Sequence, residues 1–133
     1  MHLTVQTSPG EFLDKMTILE IKADRIENPE KLENVRRELA LLRSTWQASP
    51  LSGAAGADAS ALVSELREVN TILWEVEDRI RLKEAAAAFD AEFIELARSV
   101  YRTNDRRAAI KRRLNVLLGS DLIEEKSYTA DRP

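Results

Sequence analysis

Residues 59–80, ASALVSELREVNTILWEVEDRI, carry the most regular apolar pattern in the chain. Apolar side chains recur there every three or four residues, at Leu62, Leu66, Val69, Leu73, Val76 and Ile80. This spacing places all of them on one stripe of an α-helix, as in helices that pack in a coiled coil. The stretch therefore predicts a long amphipathic helix and an all-α fold.

Two helices are expected before this stretch. Ser8 followed by Pro9 is an N-cap with a proline at the first helical position, and Asn28 followed by Pro29 repeats the signal. Apolar residues spaced by three and four follow each start. The first two helices are accordingly predicted over residues 9–26 and 29–47.

The boundary after the long helix is less well marked, because residues 83–90 contain neither glycine nor proline. Asp90 is a good N-cap, Phe89 before it is expected to pack on Ile94, and Gly119 suits a left-handed helix end. We therefore expect a break near 86–90 in place of one continuous helix. The third and fourth helices are predicted over residues 59–86 and 90–118, giving four helices in two antiparallel hairpins.

Three segments outside these helices are expected to be irregular. Residues 2–7 alternate polar and apolar side chains and are expected to form a short extended arm. Residues 48–58, ASPLSGAAGAD, are rich in small residues, glycine and proline and predict a flexible loop. Residues 120–133 form a C-terminal tail. The whole chain, 1–133, is expected to be a single helical domain.

Composition excludes several classes of function. The chain has 133 residues, 44% of them hydrophobic and 32% charged, a formal net charge of −3 and no cysteine. A disulfide framework and a thiolate nucleophile or metal ligand are therefore excluded, and no apolar run approaches the ~20 residues of a membrane span. No signal peptide is recognisable, so a cytoplasmic location is expected.

No catalytic, metal or cofactor site is predicted. Glu75, Glu77 and Asp78 lie close together, but carboxylate metal sites in helical bundles add histidines, and the single histidine, His2, lies in the arm. No glycine-rich phosphate loop or nucleophile motif is present either. We expect these acids to pair with nearby arginines and lysines.

Polar residues interrupt the core-facing stripe of the fourth helix. Asn104, Arg107 and Lys111 lie on the same face as Phe93, Leu96 and Val100. A buried cation must reach solvent or meet a carboxylate, and the third helix offers Asn70 and Glu77 as neighbours. Two interpretations stay open: the cations pair internally and fix the helix register, or they line a groove for a small carboxylate or phosphate.

A basic ridge on the other side of the fourth helix consists of Arg98, Arg102, Arg106 and Arg113. Glu92, Glu95 and Asp105 interleave with it, and few aromatic residues are available for stacking on bases. This pattern favours a solvated helix face, so we expect no nucleic-acid partner.

The first helix has a second apolar face. Ile18 and Ile21 lie beside Asp14 and Arg25, opposite the main apolar stripe. These four residues are predicted to be covered by another part of the chain or by a second copy, which indicates a homo-oligomer or a protein partner.

The chain resembles a family of short bacterial proteins classed only as a domain of unknown function. The segments that carry the resemblance are GEFLDKMTILEIKADRI (10–26), LWEVEDRIRLKE (73–84), FDAEFIELARSVYRTNDRRAAIKRRLN (89–115) and LIEEKSY (122–128). The resemblance implies no activity. It implies only a link with genes for cell-surface polysaccharide and glycosyltransferase functions. Residues singled out by it are Asp14, Lys15, Glu77, Asp78, Asn104, Asp105, Arg107, Lys111 and 124–128.

Two functions are compatible with these observations. The first is a non-catalytic helical module that binds another protein. The second is a small enzyme or binder of an anionic small molecule, in a groove lined by Arg107, Lys111 and Asn104, with a layout like that of the all-helical chorismate mutases.

Overall fold

The computed structural model describes residues 1–128, and its regular secondary structure over that range is entirely helical. The all-α prediction is confirmed. Five helices follow one another: α1 (Pro9–Arg25), α2 (Pro29–Ala48), α3 (Pro50–Ala54), α4 (Ala57–Ala85) and α5 (Ala91–Leu117).

Side-chain caps start three of these helices where the sequence predicts them. The Oγ of Ser8 accepts a hydrogen bond from the backbone N–H of Glu11, at 3.2 Å. Asn28 caps α2 in the same way, and Asp90 caps α5. Each cap satisfies a backbone donor that has no partner within the helix.

The break between α4 and α5 is present, and its geometry has a simple cause. Ala87 adopts a left-handed conformation with φ of 51°. The backbone N–H groups of Ala87 and Ala88 then bond back to carbonyls of Glu84 and Lys83, which is the hydrogen-bond pattern of a Schellman motif. Phe89 packs edge-on against Phe93 at 5.2 Å, whereas its predicted partner Ile94 is exposed.

A short helix that the sequence did not predict lies inside residues 48–58. Pro50 starts α3, and the hydroxyl of Ser49 caps it by accepting from the N–H of Leu51. The small residues and glycines of this segment favoured the prediction of a loop. Ser49 followed by Pro50 is nevertheless a helix start signal of the same kind as those before α1 and α2.

The packing of the helices differs from the predicted pair of hairpins. Helix α1 contacts α2, α4 and α5, and α4 contacts α5, but within the described chain α2 contacts only α1 and α3. The main core therefore lies between α1, α4 and α5, while α2 covers the outer side of α1. The four-helix arrangement is not confirmed in its predicted form. Buried core residues of the three-helix part are Leu13, Ala59, Leu62, Leu66, Val69, Ile110 and Leu114.

The two ends of the chain differ. Residues 1–7 are exposed and have no regular secondary structure. After α5, Glu124 forms an ion pair with Lys111 and Glu125 forms one with Arg112, so the chain folds back along α5. Residues 129–133 of the predicted tail lie outside the described part.

Candidate functional site

A buried polar cluster joins α1, α4 and α5. Its members are Asp14, Thr17, Asn70 and Arg107. The Nε of Arg107 donates to Oδ1 of Asp14 at 2.8 Å, and its Nη2 donates to Oδ2 of the same carboxylate at 2.5 Å. The Nδ2 of Asn70 donates to Asp14 Oδ1 and to Thr17 Oγ1, each at 2.9 Å. Three helices therefore meet on one carboxylate.

Because Asp14 is buried, its carboxylate depends on the ion pair with Arg107. Asp14 is 1% exposed, so its carboxylate has lost its hydration and depends on the groups that donate to it. The hydrogen bonds to Asp14 raise the pKa of Arg107, in spite of the opposing effect of burial, so this guanidinium stays charged. Both oxygens of Asp14 are occupied by Arg107 in the bidentate geometry that arginine favours. The pair is arranged for binding within the chain, and its carboxylate is not presented to a substrate.

A second cation lies one turn further along α5. The Nζ of Lys111 is 2.5 Å from a carboxylate oxygen of Glu11 and 2.6 Å from one of Glu124. Burial lowers the pKa of Lys111, but the two hydrogen bonds outweigh it, and the net shift is upward. Conversely, the hydrogen bond from Lys111 lowers the pKa of Glu124. Lys111 thus links the start of α1 and the segment after α5.

The first turn of α1 is also fixed on α5 through a glycine. The N–H of Gly10 donates to Oδ1 of the buried Asn115 at 2.7 Å. A Cβ at Gly10 would overlap the backbone carbonyl of Lys111 and would lie 2.9 Å from Oδ1 of Asn115. Neither residue was predicted from the sequence. A glycine within the first turn of a helix was the available signal, because it removes a side chain where another backbone approaches.

The structure brings together three of the five residues predicted to bind a ligand. Asn104, Arg107 and Lys111 line a cleft of about 210 Å³, together with Glu11, Ala108, Glu124 and Lys126. Asn70 belongs to the polar cluster behind it. Glu77 lies elsewhere, on an exposed part of α4, where it is 3.5 Å from Arg81. The predicted pairing of Arg107 with Glu77 is therefore wrong, and Asp14 takes that place.

The residues predicted to form an interface separate into two groups. Asp14 and Ile21 are buried by the chain's own helices, so the second face of α1 is largely covered without a second copy. Arg25 is exposed and pairs with Glu75 on α4 at 3.2 Å. Ile18 is half-buried and lines a second cleft, of about 440 Å³, between α1 and α4. Other residues lining that cleft are Ile21, Asn70, Leu73, Trp74, Glu77, Asp78 and Arg81.

Two features are absent from the part of the chain that the structure describes. No helix among the described residues is both long enough and apolar enough to cross a membrane. Over the same residues, no group of three or more histidine, aspartate or glutamate side chains could hold a metal ion.

Comparison with known proteins places the chain but does not assign an activity. The model of a family of unknown function, DUF6165, matches residues 3–132. No curated protein and no solved structure matches the chain.

Proposed function

We propose that this chain, which belongs to the DUF6165 family of unknown function, is a non-catalytic helical module that binds another protein chain. One observation carries the proposal: the α4–α5 hairpin extends beyond α1, and the extension exposes apolar side chains. Outside this extension, the buried polar cluster joins α1 to the same two helices.

The extension follows from the unequal lengths of the helices. Arg25, in the last turn of α1, pairs with Glu75. Helix α4 continues from there to Ala85, nearly three further turns, before α5 returns from Ala91. We call residues 76–99 the distal hairpin. Because α2 does not contact α4 or α5, the two helices of the distal hairpin have only each other and the end of α1 to pack against.

Apolar side chains are exposed at the tip of the distal hairpin. Leu82 is 70% exposed, and Phe89 and Ile94 are each 57% exposed. The ion pair between Lys83 and Asp90, at 2.8 Å, holds the two helix ends together and thereby keeps Leu82 and Phe89 at the same end. Single exposed apolar residues are ordinary, but a group of them on a projecting element is typical of protein-binding surfaces.

The buried charges support a non-catalytic role. Asp14 is held by Arg107, and Lys111 is held by Glu11 and Glu124. A general base or a nucleophile needs a group that is accessible to substrate, with a pKa suited to proton transfer. These groups are engaged with one another, and the pKa shifts of Arg107, Lys111 and Glu124 favour the charged forms of these three.

Site-specific photo-crosslinking in the native cells tests the proposal. A photoreactive amino acid at Leu82 or at Ile94 is expected to form crosslinks to a protein chain. The matched control is Leu41, which is 57% exposed on α2, outside the distal hairpin. Crosslinks from the hairpin positions and few from Leu41 are the expected result. Equal yields at all three positions, or none at the hairpin, would contradict the proposal.

The cellular setting of such a partner is proposed from the resemblance alone. It is a cytoplasmic bacterial setting, linked to cell-surface polysaccharide biosynthesis. Purification of the chain from its native cells tests this part of the proposal, because it predicts that enzymes or regulators of that class copurify with the chain.

The cleft beside Arg107 favours a second candidate, a binder of small carboxylates or phosphates. Its support is the convergence of Asn104, Arg107 and Lys111 on one cleft. Its weakness is that Asp14, Glu11 and Glu124 already neutralise the cations. Thermal shift with succinate and inorganic phosphate tests it best in Glu124→Gln, because this change removes one of the two carboxylates that Lys111 contacts and leaves Asp14 on Arg107. A rise in Tm with either anion, larger than in the parent, is the expected result of an anion site, and no shift in both proteins would exclude it.

A further inference from the structure

The cleft between α1 and α4 opens onto the distal hairpin and gives that hairpin a distinct face. Ile18 of α1 and Leu73 and Trp74 of α4 supply its apolar part. Asp78 and Arg81 line the same cleft further along α4, one turn apart. Leu82 follows Asp78 by four residues and therefore continues the same ridge of the helix. We call this ridge, Trp74, Asp78, Arg81 and Leu82, the α4 ridge.

The charges of the α4 ridge have an order that is complementary to itself. An acid, Asp78, precedes a base, Arg81, along the helix. Among the described residues, Asp78 takes part in no ion pair within the chain, and Arg81 has only a loose one, at 3.5 Å, with Glu77. When two copies of such a ridge cross antiparallel about a two-fold axis, the acid of each meets the base of the other.

We propose that the partner of the distal hairpin is a second copy of this chain, packed on the α4 ridge with the two hairpins antiparallel. This inference rests on the proposed function, because it names the partner of the same surface. In this arrangement Asp78 of each copy lies opposite Arg81 of the other, and the four helices of two distal hairpins form one bundle. The α1 helices of the two copies then lie at opposite ends of that bundle, and they limit the overlap to the distal hairpins.

The extent of the surface sets the expected affinity. Ten residues of α4 span about 15 Å, and two neighbouring helices are about 20 Å wide. The contact therefore belongs at the small end of specific protein interfaces, which bury roughly 1,200 Å² or more in total. We expect a dimer whose population depends on concentration over the micromolar range.

Charge reversal tests this pairing directly. In Asp78→Arg, residue 78 of each copy faces the unchanged Arg81 of the other, and in Arg81→Glu, residue 81 faces the unchanged Asp78. Each variant alone is expected to shift dimer dissociation to at least tenfold higher concentration. An equimolar mixture of the two variants places opposite charges at both crossings and is expected to restore association. Sedimentation equilibrium of the purified chains, alone and mixed, measures all three states.

Controls separate this result from a general effect of charge or folding. Asp78 and Arg81 are exposed, so circular dichroism should show both variants folded. Glu68→Arg makes the same kind of change at an exposed position of α4 outside the distal hairpin, ten residues before Asp78, and it is expected to leave the dimer unchanged. A wild-type chain that stays monomeric to millimolar concentration, or a mixture no more associated than its components, overturns the inference. If the hairpin positions crosslink in cells to a different protein while the purified chain is a monomer, the second copy is excluded and the proposed function stands.

Discussion

The two sides of α1 are held by different kinds of contact. Towards α2, the buried residues Leu19, Val35 and Leu39 pack together with apolar side chains at their margin, which are Ala23, Ile26 and Leu42. Towards α4 and α5, the apolar core is interrupted by the carboxylate of Asp14 and the guanidinium of Arg107. The buried contacts of the same helix are therefore apolar towards one neighbour, whereas towards two others they include a defined set of hydrogen bonds.

The difference teaches what each side contributes. Burial of apolar area stabilises in proportion to the area and has no strict geometry, so an apolar interface tolerates a small shift of one helix along another. A bidentate ion pair has one geometry, and a shifted helix would leave a charge buried without a partner. We infer that the polar side sets the position of α1 on the hairpin, while the apolar side adds stability.

The largest expected effect comes from removing one partner of the buried pair. Arg107→Met leaves the buried carboxylate of Asp14 without its cation, and the free energy of unfolding should fall by about 3 kcal/mol, at the low end for buried pairs because Arg107 is partly exposed. Urea denaturation measures it. Arg37→Met, at an arginine of α2 that is 74% exposed, is the control and should change stability by less than about 0.5 kcal/mol. A loss below about 1 kcal/mol for Arg107→Met would mean that Asp14 is not dependent on this cation.

A smaller effect is expected on the apolar side. Leu39→Ala removes buried methyl groups from the interface with α1 and should cost about 2 kcal/mol, since α2 lies at the edge of the molecule and can partly close the cavity. Hydrogen exchange should become faster in α2 and remain unchanged in the polar cluster. Faster exchange at Asn70 to the same degree would show that the two sides of α1 are not separable.

The start of α1 gives a third comparison, between two glycines. Gly10→Ala places a methyl group against the carbonyl of Lys111 and is expected to destabilise by about 1 to 2 kcal/mol. Gly53→Ala is the matched control, because nothing lies within 4 Å of a Cβ there and alanine favours the helix. Thermal unfolding should therefore give a lower Tm for the first variant and an equal or higher Tm for the second. The opposite order would contradict the close approach of α1 and α5.

The smallest effect concerns the segment after α5. The hydrogen bond from Lys111 lowers the pKa of Glu124, so this carboxylate contributes stability above the ordinary pKa of glutamate, and the contribution is lost as the pH falls through the lowered value. Because Glu124 is about half exposed, the contribution should be below about 1 kcal/mol. The stability difference between the parent and Glu124→Gln should be present at pH 7 and smaller at pH 3, which is below the ordinary pKa of glutamate, 4.5. A difference that is the same at both values would exclude this ion pair as its source.

The helices could be predicted from the sequence because their signals are local. Stripes of apolar residues and the caps Ser8, Asn28 and Asp90 act within one or two turns, and the observed helix ends lie within two residues of the predicted ones for α1, α2, α4 and α5. The polar interruption on α5 was predicted for the same reason, since Arg107 and Lys111 fall on the face of the core stripe.

The partners of those cations could not be predicted in the same way. Periodicity shows which residues share a helix face, but it does not show which other helix that face meets. Asp14 is 93 residues from Arg107 along the chain. Because Asp14 lies opposite the main apolar stripe of α1, the sequence indicated an interface with a partner there. In the structure, α4 and α5 of the same chain cover that side. The contact between Gly10 and Asn115 could not be predicted for the same reason.

A pair of double-mutant cycles compares the two sides of α1 most directly. One cycle combines Asp14→Ala with Arg107→Ala. The other combines Lys15→Ala with Glu38→Ala, an exposed ion pair of 2.9 Å that joins α1 to α2. Urea denaturation should give a coupling energy of about 2 kcal/mol or more for the first pair and less than about 0.5 kcal/mol for the second. Equal coupling energies would contradict the conclusion that buried polar contacts, and not apolar packing alone, fix α1 on the hairpin.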